Sequence, residues 1–200
     1  MRFLLLITAV SSVEILAAGR QINVSVCNLE GISDSVLSDA KAETELVFRQ
    51  VGVEIVWRAY DTFPMAVWPA RSPRFLVRLW NHKQHLTAGP SSLEVMGKAF
   101  VGAPGDTVAD AYFPVIQAMA EQRHVDAGVL LGFVMAHELG HLLLGPGHTT
   151  EGVMQAAWGQ SQMDALRQRR LGFTREGAER IRLMLGARMA ARQSGPGGNE

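Results

Sequence analysis

Apolar and polar residues alternate from Ile22 to Cys27, which reads Ile-Asn-Val-Ser-Val-Cys, and this period of two predicts a strand with one buried face. The period then changes. From about Ser33 to Val51 the apolar residues Leu37, Ala40, Val47, Phe48 and Val51 recur at helical spacing, and Gly52 follows as the expected C-terminal cap. Val53 to Trp57 returns to a strand, giving the order of a βαβ unit. Phe75 to Trp80 and Lys98 to Val101 predict a third and a fourth strand, each bounded by Pro or Gly segments. Ala109 to Phe113 predicts a short fifth, ended by Pro114, before helical spacing resumes at Val115 and Met119. Gly128 to Leu144 is apolar nearly all round, as in a helix buried on every side, and only His137, Glu138 and His141 interrupt it. Gly145-Pro146-Gly147 stops that helix. Gln162 to Leu171 and Thr174 to about Ala191 predict two more, the second with Ala178, Ile181 and Leu185 on one face.

At the start of the chain, Met1 and Arg2 precede the apolar run Phe3 to Val10, and the small residues Ala17-Ala18-Gly19 follow. This is the layout of a signal peptide over residues 1–19, which predicts a secreted or periplasmic protein. The run is shorter than the ~20 residues that span a bilayer, so no stable membrane anchor is expected. Residues 20–192 then form one domain and 193–200 a flexible tail.

Composition narrows the chemistry. Two hundred residues with 48% hydrophobic and 19% charged content suit one packed domain and exclude a disordered or collagen-like chain. Nineteen basic residues balance nineteen acidic ones, so the chain has no net field to draw it to nucleic acid. Cys27 is the single cysteine, which rules out an internal disulfide or a cysteine zinc site. Any metal must be held by His, Asp or Glu.

His137-Glu138-Leu139-Gly140-His141 supplies such ligands. Residues four apart share one helix face, so both imidazoles can point at one zinc ion. Glu138, one position on, is rotated by about 100° and sits beside the metal, where a carboxylate can act as a general base on water. In apolar surroundings these groups cost several kcal/mol of desolvation unless something compensates them, and a metal ion does. A catalytic zinc usually has three protein ligands. His148 follows just beyond the helix stop as the third.

The stretch from His137 to His148 resembles the metzincin zinc peptidases, whose motif is HExxHxxGxxH followed by a methionine turn, and Gly152-Val153-Met154 resembles that turn. The resemblance covers roughly Gly128 to Trp158. It implies Zn2+ held by His137, His141 and His148, Glu138 as catalytic base and proton shuttle, and Met154 as the hydrophobic base under the site. It also implies an α+β, zincin-like fold: a twisted, mostly parallel mixed sheet with an edge strand above the cleft, an active-site helix and C-terminal helices. The spacing departs from the family by one residue, since three residues separate His141 from Gly145 where the motif has two. An added helical residue turns the chain exit by about 100° and lifts it 1.5 Å. Glu151, or Glu176 and Glu179 in the manner of the gluzincins, therefore stand as substitute third ligands. The glycines flanking Pro146 can instead bring His148 back.

These observations predict a zinc-dependent metalloendopeptidase acting on peptide or protein substrates. A zinc amidase acting on a cell-wall amide would use the same residues, whereas a zinc-stabilised interaction module without turnover would have no use for Glu138. Elsewhere, His82, His85 and His124 read as surface or loop residues, Cys27 as a buried strand residue, and Arg167, Arg169 and Arg170 as a solvated helix face. Tyr112 is expected in the edge strand and Trp158 in the core beneath the site.

Overall fold

The computed structural model describes residues 20–28, 30–60, 74–81, 95–101 and 107–193, with side chains as far as residue 187. The proposed signal peptide, His82, His85 and the tail beyond residue 193 lie outside the described residues. Five strands form one sheet: β1 (Gln21–Asn28), β2 (Glu54–Arg58), β3 (Arg74–Trp80), β4 (Gly97–Ala99) and β5 (Val108–Tyr112), in the order β2-β1-β3-β5-β4. All neighbours are parallel except β4, which runs antiparallel to β5. Five helices accompany them: α1 (Asp34–Gln50), α2 (Phe113–Arg123), α3 (Ala127–Leu144), α4 (Gln160–Arg167) and α5 (Arg175–Gln193). The fold is thus a mixed α/β one with a mostly parallel sheet, the sheet that the resemblance implied and with which the strand-helix-strand order is compatible.

Local chemistry sets the boundaries. Ser33 caps α1 by accepting from the Val36 N–H, and Gly52 supplies the left-handed residue just past its end, at φ 73°. Pro114 does not separate β5 from a later helix. It lies in the first turn of α2, where its missing N–H costs nothing, so the strand passes directly into the helix. Asp126 caps α3 by accepting from the Val129 N–H at 3.0 Å.

Helix α3 is the centre of the core. Leu130, Leu131, Phe133, Met135, Leu139 and Leu143 are buried, and the helix packs closely on α1. The close approach depends on Gly132, where a Cβ would lie 2.6 Å from the Ala40 carbonyl oxygen. Thr44 Oγ1, buried in the same interface, donates to the Ala40 and Gly132 carbonyls at 2.7 and 3.0 Å. Helix α3 is long and apolar enough to cross a membrane, yet 78% of it is buried inside the fold, as in a core helix.

Two expectations change. Tyr112 is in β5, one strand in from the edge, and the edge strand is β4. The basic run is not one solvated helix face, because α4 ends at Arg167 and Arg169 turns to φ 52°. From there its guanidinium meets Glu43 of α1, which is buried, at 2.9 Å.

Candidate metal centre and cleft

Helix α3 carries His137, Glu138 and His141 to one wall of a cleft of about 900 Å³, whose other walls include β4, α2 and the 146–158 loop. Its last residue is followed by Gly145 at φ 89° and Gly147 at φ 121°, both values that side-chain-bearing residues rarely adopt. Those two glycines absorb the additional helical residue. They return His148 to the helix, where its ring lies 5.4 Å from that of His137 and 4.9 Å from that of His141. The ligand atoms of His137, His141 and His148 all fall within 4.8 Å of one another. Glu151, Glu176 and Glu179 are exposed and do not join this group.

The first two rings are oriented by backbone carbonyls. His137 Nδ1 donates to the Val153 carbonyl at 2.7 Å and His141 Nδ1 to the Gly145 carbonyl at 3.3 Å. With the ring protons on Nδ1, both Nε2 atoms are acceptors in the neutral rings, and they face each other at 3.0 Å. Two such acceptors at that separation are well placed to share a cation. The donor set therefore fits a metal ion, for which carbonyl-anchored imidazoles are a common arrangement. Burial agrees, since desolvation above all pushes the His137 pKa down to about 4, and His141 is lowered for the same reason.

The loop that supplies Val153 is itself tied down. The Thr149 N–H donates to the Met154 carbonyl at 3.0 Å, and the Val153 N–H to the Gly172 carbonyl at 2.8 Å. Met154 is buried against Gly140, where a Cβ would come within 2.4 Å of its Sδ. Glycine at 140 thus lets the methionine lie directly on the helix between the two histidines. Trp158, also buried, meets His137 edge-on at 5.9 Å and lines the cleft as well as the core.

Glu138 is 5% exposed. Its pKa is pushed up to about 8, first by burial and further by the nearby Asp110 carboxylate, while a hydrogen bond from the Ala99 N–H opposes the rise. That bond comes from the free side of the edge strand. Met96 and Phe100 bond to β5 through Tyr112 and Val108, so Gly97 and Ala99 turn their polar backbone groups away from it. Gly97 is a necessary part of this seat, because a Cβ there would lie 2.5 Å from Glu138 Oε1. Behind it, Asp110 is held by Arg78 through bonds of 2.6 and 3.0 Å.

All four site residues read from the sequence therefore meet around one cleft. Gly97, Ala99 and Asp110 were not found by that reading, since a backbone N–H on a short strand leaves no motif. His124 caps α2 at the surface and Cys27 is buried in β1, as expected. No protein-family model matches the chain, and no curated protein does.

Proposed function

We propose that this chain is a zinc-dependent metallopeptidase of metzincin type with a zincin-like fold. The observation that carries the proposal is the convergence of the His137 and His141 Nε2 atoms, 3.0 Å apart, with a third imidazole beside them and a buried carboxylate on the neighbouring residue. His137, His141 and His148 would hold the ion. Zinc, when bound, supplies Lewis acidity and brings the pKa of water towards about 7. Glu138 takes the proton from the attacking water and passes it to the leaving amine. A cation next to Glu138 favours its ionised form, which reverses the effect of burial seen in the metal-free protein. The outward-facing backbone groups of Gly97 and the Ala99 carbonyl on β4 suit main-chain bonding to an extended peptide.

A closed structural zinc site would need a fourth protein ligand, and among the described residues the metal-ligating group has three. This favours turnover over a purely structural role. The test is the Glu138→Gln variant, which should bind zinc as the parent does while peptide cleavage falls by about 10²–10⁴. A variant that kept full activity would remove Glu138 from the mechanism. Cleavage of purified peptidoglycan in place of casein would move the substrate to a cell-wall amide.

A further inference from the structure

Besides the metal centre, the cleft contains a cation with no assigned task. Arg123 is the last residue of α2 and lines the cleft. Its Nε is buried without a hydrogen-bond partner, and among the described residues no carboxylate pairs with its guanidinium. A buried donor left unsatisfied is costly. Its backbone is fixed, since the Arg167 guanidinium donates to the Arg123 carbonyl and His124 ends the helix in a left-handed conformation. The charge is therefore presented from a rigid helix end.

The wider cleft has the same sign. Lys98 of β4 lines it too, with Nζ 5.3 Å from the centre of the Phe100 ring. Glu138 is the sole carboxylate among its described lining residues. Among the described lining residues two fixed cations thus stand against one carboxylate, and a metal ion would add positive charge. Planar guanidinium with unused donors matches a carboxylate, which it can bind through two parallel hydrogen bonds.

We propose that Arg123 anchors a substrate carboxylate, so that the cleft selects peptides bearing Asp or Glu near the scissile bond. This rests on the peptidase reading above and adds a substrate class to it. A free C-terminal carboxylate offers the same chemistry, and the experiment separates the two sources.

Random octapeptides, amidated in one pool and free acids in another, are presented to the zinc-loaded protein. The parent reports cleavage sites by mass spectrometry, and the Glu138→Gln variant reports which peptides are retained without turnover. Enrichment of Asp and Glu of about tenfold at one fixed position is expected in both readouts with the amidated pool. Arg123→Gln should abolish it with zinc content unchanged, and Arg123→Lys should keep part of it. Enrichment confined to the free-acid pool would assign the carboxylate to the C-terminus. No acidic preference, a preference that survives Arg123→Gln, or one removed by Lys98→Gln in its place would overturn the proposal. If Arg123→Gln fails to fold, an undiminished preference in Arg123→Lys overturns it. Acid-selective retention with no cleavage by the parent would sink the peptidase reading and leave the Arg123 assignment standing, while cleavage without acidic preference would do the reverse.

Discussion

Burial shifts Glu138 and His137 in opposite directions. His137 has a native pKa of about 4, below its ordinary value, so the unfolded chain takes up a proton first and stability falls as pH drops below about 6.5. Above that the ring is neutral in both states and contributes no slope. Glu138 has a native pKa of about 8, above its ordinary value, so the native state keeps a proton that the unfolded chain has lost. Between pH 6.5 and 8, chelator-treated protein should therefore lose stability as pH rises, by at most about 2 kcal/mol. Urea unfolding at several pH values measures this, and Glu138→Gln should flatten the slope. An equally steep slope in the variant would assign the titration elsewhere. The HExxH spacing put these groups on one helix, but their surroundings come from β4, β5 and the 149–154 loop, which local sequence does not encode.

The edge strand and helix α3 act as a pair. Gly97 lets Glu138 lie under β4, within reach of the Ala99 N–H. Gly97→Ala should push the carboxylate aside and lower kcat by up to about 10², the cost of a displacement near 1 Å, with zinc affinity unchanged. Kinetics together with a zinc titration would show it, and a loss of zinc to the same degree would mean the whole helix had moved. Strand and helix types were legible from period and from Gly and Pro positions. The edge was not, because strand order depends on pairing between distant segments. Tyr112 was accordingly placed one strand too far out.

For the whole molecule, a metal held by the three histidines would couple binding to stability, since helix α3 and the 145–148 turn must both be native to bring them together. Zinc at about 100 times its dissociation constant should stabilise the fold by ~2.7 kcal/mol and raise Tm by roughly 5–10 °C. Differential scanning fluorimetry with zinc and with chelator checks this. His148→Ala should weaken zinc binding by at least about tenfold and shrink the shift. An unchanged shift would exclude His148 as a ligand.

The sequence by itself determined the buried helix, its two histidines four residues apart, the carboxylate between them and the strand-helix-strand order, because each follows from periodicity or spacing along the chain. Only the tertiary structure decided that His148 joins them and that the acidic substitutes do not. The two positive-φ glycines settle the direction of the chain, and that direction becomes visible only once the turn is packed against Met154 and the helix. It also placed Gly97, Ala99 and Arg123 around the cleft, since proximity between separate segments is a property of the packed core and not of any one segment's pattern.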